Sequence, residues 1–214
     1  MQAMTRRAAV AALLAAASVA GPAPRVAAED ADRGATLFRY CTQCHGEQGE
    51  GNALALAPAI AGLPAWYVER QLEHFRSGIR GRHFDDIAGM RMRPMSLTLR
   101  KEGDVAAVAA YVASLPPADP EPTLEGDPAR GQQLYATCVA CHGADGAGNQ
   151  QMNAPPLTGS HDWYLERQIQ NFRQGIRGAD PADTFGALMR PMAMTLPDDQ
   201  AVRDVVAYIM TLPR

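Results

Sequence analysis

Two segments of the sequence place a pair of thiols and an imidazole at one fixed spacing. Both read Cys-x-x-Cys-His, over 41–45 and again over 138–142. Two cysteines separated by two residues and followed at once by a histidine form the attachment pattern of c-type haem, in which the histidine ligates the iron. We therefore predict two covalently bound haem c groups. The predicted haem residues are Cys41, Cys44, His45, Cys138, Cys141 and His142.

Other interpretations of the cysteine pairs are weaker. The sequence has four cysteines and the two motifs use them all, so no thiol is left for a structural disulfide. Cysteine pairs at this spacing also occur in thioredoxin-like redox sites and in zinc sites. The histidine that directly follows each pair, in a sequence without a βαβ pattern, disfavours both alternatives.

The second axial position of each iron has methionine as its best candidate ligand. A thioether suits the iron of an electron carrier and raises its reduction potential. Met-Arg-Pro-Met occurs at 92–95 and recurs at 189–192, and the prolines predict an irregular, non-helical backbone in both segments. Both methionines of each segment recur, so two ligand pairs remain open: Met92 with Met189, and Met95 with Met192.

Further polar residues are sorted by whether they recur in the other half. Three histidines do not, which favours surface or hydrogen-bonding roles for them: His74, His83 and His161. Guanidinium forks match carboxylates, so recurring arginines are candidates for holding the haem propionates. The two candidate pairs are Arg80 with Arg177, and Arg76 with Arg173.

The haem motifs belong to a unit that occurs twice. The second copy follows the first at an offset of 97 residues (138 minus 41) and keeps this register along its length. Two copies of such length indicate duplication of a complete domain rather than a solenoid. We predict domains over 29–116 and 127–214, joined over 117–126 by a proline-rich linker that favours extended conformations.

The spacing of apolar residues predicts an all-α fold for both units. The first helix is expected over about Asp32–Thr42, which would bring the haem cysteines to its C-terminal end. A second helix is expected to begin after Pro64, and Asp162 is the expected cap of the matching helix in the second unit.

The last helix of each unit is predicted to be buried and to end at a proline, Pro116 or Pro213. Gly34 and Gly131 lie near the start of each unit, where the terminal helices are expected to cross closely. Glycine is suited to such a crossing because it lacks a Cβ atom.

The N-terminus has the pattern of an export signal. Arg6 and Arg7 precede an alanine-rich apolar run over 8–20, and small residues at 26–28 offer a cleavage site before Glu29. The run is shorter than the roughly 20 residues that span a bilayer, which disfavours an uncleaved anchor. We predict that residues 1–28 are a signal peptide and that the protein is periplasmic, since bacteria attach haem covalently outside the cytoplasmic membrane.

Charge limits the kinds of partner. The formal charge is −3, and removal of residues 1–28 takes away three arginines and no acidic residue, giving −6. Nucleic-acid binding needs a basic face, so no nucleic-acid partner is expected. An anionic membrane surface is disfavoured by the same charge, and only peripheral membrane association stays open.

Together the motifs resemble the dihaem class I cytochromes c of the cytochrome c4 family. Each unit has Cys-x-x-Cys-His-Gly, Gly-x-Gly-Asn, a Trp/Tyr-led helix with Glu-Arg-Gln, Phe-Arg-x-Gly-x-Arg, Met-x-Pro-Met and a final Ala-Tyr helix. The resemblance implies two tandem class I cytochrome c domains related by a pseudo-two-fold axis, with haems facing each other near the interface. It also implies electron transfer in the periplasm.

The resemblance further implies the methionine ligands and the partners. In class I cytochromes the ligand lies seven residues before the leucine that leads into the last helix, a place held here by Leu99 and Leu196. This selects Met92 and Met189. The implied partners are redox proteins: a donor such as a quinol-oxidising complex or a dehydrogenase, and an acceptor such as a terminal oxidase.

The main alternative function is that of an enzyme or an enzyme's obligate subunit. The candidates are a dihaem peroxidase, a thiosulfate-oxidising cytochrome and the electron-accepting subunit of a periplasmic dehydrogenase. A catalytic haem needs an open or weakly held iron site. The sequence places no acid/base pair beside the methionine segments, which favours an electron carrier over an enzyme.

Overall fold

The computed structural model describes residues 25–213, with side chains from Asp32 onward. The predicted export signal lies outside these residues except for positions 25–28. The described chain is helical, and its only β pairing consists of two isolated bridges, Asn52 with Ala57 and Asn149 with Ala154. No helix within residues 25–213 is long and apolar enough to cross a membrane.

Five helices in the N-terminal half are followed by five in the C-terminal half. The first five are α1 (Arg25–Phe38), α2 (Thr42–His45), α3 (Ala65–Ser77), α4 (Ile87–Ser96) and α5 (Asp104–Ser114). The second five are α6 (Pro128–Tyr135), α7 (Val139–His142), α8 (Asp162–Arg173), α9 (Thr184–Met194) and α10 (Asp199–Ile209). This order confirms the predicted all-α fold and its duplication.

The terminal helices of each half cross at a glycine, as predicted. A Cβ atom on Gly34 would overlap the carbonyl oxygen of Ala107 in α5 and lie 2.9 Å from Cβ of Tyr111. A Cβ atom on Gly131 would likewise overlap the carbonyl oxygen of Asp204 in α10. Both crossings therefore need a residue without a side chain.

A separate hydrophobic core forms around the last helix of each half. The predicted apolar face of α5 is buried, with Val108 2% and Val112 1% exposed. The matching face of α10 is buried as well, with Val205 1% and Ile209 3% exposed. Full burial of a side chain of this size stabilises a fold by about 1.5–3 kcal/mol. Each half therefore has its own core beneath its haem motif.

The predicted extent of the first helix was wrong. Helix α1 ends at Phe38, and backbone hydrogen bonds from Tyr40 N to Leu37 O and from Cys41 N to Phe38 O close a turn after it. Cys41 then precedes the separate short helix α2. Consequently Cys41 lies directly before α2 and Cys44 lies within it, rather than both at the end of α1.

The predicted irregular backbone of the methionine segments was also wrong, because both are helical. Asp86 accepts a hydrogen bond from Gly89 N at the start of α4, and Asp183 accepts one from Gly186 N at the start of α9. These side-chain caps stabilise both helix starts. Pro94 lies inside α4, two residues before the helix ends, and the helix continues through it although proline has no N–H to donate.

The prediction that Asp162 caps α8 was wrong. His161 precedes the helix and Asp162 is its first residue. The Asp162 carboxylate instead accepts hydrogen bonds from the backbone N–H groups of Thr123 and Leu124 and from the Thr123 hydroxyl. It therefore anchors the linker to the C-terminal domain.

Candidate haem sites

The two motif histidines are buried and held in the same way. His45, at the end of α2, donates from Nδ1 to the carbonyl oxygen of Pro58 at 2.8 Å. His142, at the end of α7, donates from Nδ1 to the carbonyl oxygen of Pro155 at 2.9 Å. With Nδ1 carrying the proton, the lone pair on Nε2 is free to ligate a metal. The carbonyl partner orients the ring and increases its basicity.

Burial also fixes the charge state of these histidines. It lowers the pKa of both His45 and His142, although the carbonyl contacts act in the opposite direction. Both imidazoles are therefore neutral at neutral pH, which is the form that ligates iron.

The motif cysteines do not have the properties of redox-active thiols. Cys41 and Cys44 lie one helical turn apart on the same side of α2, as do Cys138 and Cys141 at α7. Burial raises the pKa of the Cys41 thiol to about 11, and burial also raises the pKa of Cys138. Redox-active Cys-x-x-Cys pairs have lowered pKa values. The arrangement suits covalent attachment to one planar group instead.

The methionine candidates differ in burial. Met92 is partly buried and packs against the N-terminal core, and Met189 is partly buried in α9. Met95 is 41% and Met192 38% exposed. Burial favours Met92 with Met189 as the ligand pair, which remains a prediction.

Buried polar atoms without partners test whether a haem fits these sites. Within residues 32–213, six buried side-chain nitrogens have no hydrogen-bond partner, and each is an N–H donor. They belong to Arg80, Arg93, Trp163, Asn171, Arg177 and Arg190. Buried polar groups are nearly always paired, so this set needs acceptors from outside the chain. Haem propionates are such acceptors, and the residues therefore fit the group.

Arg80 and Arg177 meet at the interface between the two halves. The Gln71 side-chain oxygen accepts from Arg80 at 2.7 Å and from Arg177 at 2.9 Å. The Gln168 oxygen accepts from Arg80 at 3.1 Å and from Arg177 at 3.0 Å. These four hydrogen bonds have the pseudo-two-fold symmetry that the family resemblance implies.

The charges in this network also favour propionate binding. Neither guanidinium forms a salt bridge within the described side chains, although Arg80 is only 6% exposed. Buried charges without a counter-ion destabilise a fold. The other predicted pair is already engaged, since Arg76 binds Glu73 and Arg173 binds Asp199. The structure thus favours Arg80 and Arg177 as the propionate partners.

Four further contacts join the halves and have no symmetric counterpart among the hydrogen bonds and ion pairs of residues 32–213. One runs from Arg177 to the Tyr67 hydroxyl at 3.4 Å. Arg70 donates to the Asn153 side-chain oxygen at 2.8 Å and lies over the Phe185 ring at 5.0 Å. His74 approaches Asp183 at 3.9 Å. In the fourth contact, the backbone N–H of Ala59 donates to Nδ1 of His161 at 3.0 Å. The interface is therefore symmetric in the hydrogen bonds between the two arginines and the two glutamines, and asymmetric in the contacts around them.

Sequence reasoning missed the roles of several of these residues. Gln71 and Gln168 recur at the common offset within Glu-Arg-Gln, a signal that was available without a role to attach to it. The carbonyl oxygens of Pro58 and Pro155 carry no side-chain signal at all. The interpretation of His74 and His161 as hydrogen-bonding or surface residues agrees with their contacts.

The fold and sites together define a two-domain, all-helical protein with one haem c motif in each domain. The family model described as cytochrome c matches residues 31–116 and 128–213. The chain belongs to the cytochrome c family, and within it to the dihaem cytochrome c4 type. It is accordingly an electron carrier of that type.

Two curated relatives illustrate the similarity. A thiosulfate dehydrogenase electron acceptor of Stutzerimonas stutzeri is 34% identical over 179 residues, covering 78% of this chain and 76% of that protein. Cytochrome c4 of Azotobacter vinelandii is 30% identical over 201 residues, covering 87% of this chain and 90% of that protein.

Solved structures give the same result. Reduced recombinant cytochrome c4 from Pseudomonas stutzeri is 28% identical with a TM-score of 0.67, covering 86% of this chain and 98% of that one. A thiosulfate dehydrogenase from Marichromatium purpuratum is 32% identical with a TM-score of 0.69. That match covers 86% of this chain but spans only 40% of the dehydrogenase chain.

Proposed function

We propose that the chain is a periplasmic shuttle that carries electrons between redox proteins, toward a terminal oxidase. Cys41 and Cys44 would attach the first haem and Cys138 and Cys141 the second. The proposed axial ligands are His45 with Met92 and His142 with Met189. The proposal includes cleavage of residues 1–28 as a signal and domains over 29–116 and 127–214.

The proposal is supported above all by the matched hydrogen bonds of His45 and His142 to backbone carbonyls. When bound, each haem supplies a one-electron redox centre. The protein holds each proximal imidazole neutral and oriented, and the partly buried methionine would keep water from the opposite position. A site closed on both sides changes little when the iron gains or loses an electron, which suits a carrier rather than an enzyme.

The buried arginines have a separate role in the proposed function. Arg80 and Arg177 would neutralise the haem propionates at the interface, with their unpaired Nε–H groups as donors. Because each guanidinium also binds glutamines from both halves, the propionate sites and the interface would form one unit.

A second candidate function specifies the electron donor. The relatives from Stutzerimonas stutzeri and Thiomonas intermedia, 34% and 33% identical, are both thiosulfate dehydrogenase electron acceptors. We infer from this similarity that a thiosulfate dehydrogenase is a candidate donor. Two one-electron haems would let the chain take up both electrons of a two-electron oxidation.

The test of the carrier function uses carbon monoxide. We expect the reduced holoprotein at neutral pH to bind no carbon monoxide, because both axial positions are filled. Rapid carbon monoxide binding without prior denaturation would instead indicate an open, enzyme-like haem.

The donor is tested by rapid mixing. The oxidised holoprotein is mixed with a purified thiosulfate dehydrogenase and thiosulfate, with a quinol-oxidising complex and quinol as the parallel arm. Fast reduction of both haems only in the thiosulfate arm would favour the second candidate. Fast reduction only in the quinol arm would exclude it and leave the general shuttle in place.

A further inference from the structure

One peptide group links the first motif histidine to a residue of the other domain. The carbonyl oxygen of Pro58 accepts the hydrogen bond from Nδ1 of His45 at 2.8 Å. The N–H of the same peptide group, that of Ala59, donates to Nδ1 of His161 at 3.0 Å. His161 precedes helix α8 in the C-terminal half. A continuous hydrogen-bond chain thus runs from His45 through this peptide to His161.

The surroundings of His161 fix its position. An amide N–H only donates, so Nδ1 of His161 must be unprotonated. Its ring lies 5.3 Å from the Trp163 ring, and a Cβ atom on Gly51 would come within 2.8 Å of its Cε1 atom. Burial lowers the pKa of His161, although Asp162 acts in the opposite direction, so the ring is neutral at neutral pH. Ala59 is 2% exposed, so the bond to His161 is shielded from solvent in the folded chain.

The other haem motif cannot make this chain. The carbonyl oxygen of Pro155 accepts from His142, but the next residue is Pro156, which has no N–H to donate. The position that matches His161 in the first half is Pro64. Both ends of the additional hydrogen bond are therefore missing at the C-terminal site.

Hydrogen bonds in a chain polarise one another. When the N–H of a peptide group donates a hydrogen bond, the carbonyl oxygen of the same group becomes more negative. That oxygen then accepts a stronger hydrogen bond from its own donor. A stronger hydrogen bond from Nδ1 makes an imidazole a better electron donor to its metal. A better donor stabilises ferric over ferrous iron, and so lowers the reduction potential.

We propose that His161 is a positioning residue for the N-terminal haem: by accepting from Ala59 N–H it strengthens the hydrogen bond of His45 and lowers the potential of that haem alone. The inference rests on the proposed function, because it requires His45 to ligate iron. It makes the docked C-terminal domain a determinant of the potential difference between two otherwise similar sites.

The test uses the full-length holoprotein with Ala59→Pro and with His161→Phe. Ala59→Pro removes the N–H, adds a ring that fixes φ, and copies the Pro155-Pro156 sequence of the other half. Phenylalanine keeps a ring against Trp163, so His161→Phe breaks the same hydrogen bond without changing the backbone at residue 59. At a fixed ambient potential we expect each variant to raise the ferrous-to-ferric ratio of the N-terminal haem severalfold, with the C-terminal haem unchanged. The double variant should shift no further than either single one, because both break the same chain.

Redox titration followed by proton NMR separates the two haems. The methionine methyl signal lost in Met92→Ala marks the N-terminal haem. Pro156→Ala is the matched control, and it should shift neither haem, because Pro64 offers no acceptor on the opposite side.

The outcomes separate the inference from the proposed function. Absence of methionine-ligated signals from the unmodified protein would overturn the proposed function. Two normal signals with unchanged potentials in both Ala59→Pro and His161→Phe would overturn the role of His161 alone. Additive shifts in the double variant would also contradict it, because they would show two independent effects.

Discussion

The two halves use different acids to pair with a matching arginine. Arg33 forms a salt bridge with Asp104 in the first turn of α5, and Arg130 forms one with Asp204 in α10. At the common offset of 97, Asp204 corresponds to position 107, three residues after Asp104. The Asp104 carboxylate also accepts a hydrogen bond from the backbone N–H of Lys101, which precedes α5. Asp204 accepts instead from the backbone N–H of Asp127 and from Gln200. The crossing of the terminal helices is thus stabilised in each half by an aspartate at a different position.

The difference shows which parts of the duplicated unit were free to diverge. The motif histidines, their carbonyl partners and the glycine crossings correspond position by position. The ion pairs around the cores and the outer contacts of the interface do not. Iron ligation would restrict the histidines and their carbonyl partners, and the close approach of two helices restricts the glycines. In the second group, any side chain that satisfies a buried partner serves.

The largest expected difference is between the two methionines of the same Met-Arg-Pro-Met segment. We expect Met92→Ala and Met189→Ala each to abolish one low-spin, methionine-ligated signal completely, because each removes one axial ligand. Met95→Ala and Met192→Ala are the matched controls and should leave both signals. Paramagnetic resonance and optical spectra of the ferric protein measure this, and the reverse pattern would move the ligands three residues along.

The glycine crossings come next. Leucine at Gly34 or Gly131 would overlap the facing helix backbone, and we expect each substitution to destabilise its own half by about 3 kcal/mol. Urea unfolding followed at each haem checks this. A loss confined to one half would show that the two cores unfold separately, and unchanged midpoints would contradict the close crossing.

The different acids give the third prediction. Asp204→Ala would leave the Asp127 N–H and Gln200 without their acceptor, and we expect a loss of about 2 kcal/mol in the C-terminal half. Asp104→Ala should affect the N-terminal half instead. An equal effect of Asp204→Ala on both halves would contradict the separation of the two cores.

Acid titration sharpens the same comparison. Burial alone would raise the pKa of Asp204, but its hydrogen bonds and the charge of Arg130 lower it below the ordinary value of about 4. The stability it contributes is therefore complete above that ordinary value and is lost as the pH falls through the lower pKa of the folded state. Thermal unfolding between acid and neutral pH should show this loss, and Asp204→Ala should reduce it without abolishing it, because hydrogen bonds also lower the pKa of Asp104 and Asp162.

The smallest expected effect concerns the outer interface. Arg70→Ala removes the contacts with Asn153 and Phe185, and we expect a weakening of domain docking by about 1 kcal/mol. Arg167 is the matched control, because it occupies the same position of the second unit and is exposed. Faster hydrogen exchange around Asn153 in Arg70→Ala but not in Arg167→Ala would confirm the asymmetry, and equal exchange would contradict it.

The sequence predicted the local and repeated features best. The haem motifs, the glycine crossings and the apolar face of the last helices follow from fixed spacing. The helical methionine segments were missed because Pro94 outweighed the cap that Asp86 provides. The contacts of the outer interface could not be predicted from the repeat, because Arg70 and Asn153 lie 83 positions apart rather than at the common offset of 97.

The central claim is that two closed, six-coordinate haems carry electrons one at a time. A potentiometric titration of the holoprotein, followed by optical and paramagnetic spectra, tests it most directly. We expect two one-electron steps and low-spin, histidine–methionine spectra from both haems in the ferric state. High-spin, water-ligated spectra from both domains would contradict the claim.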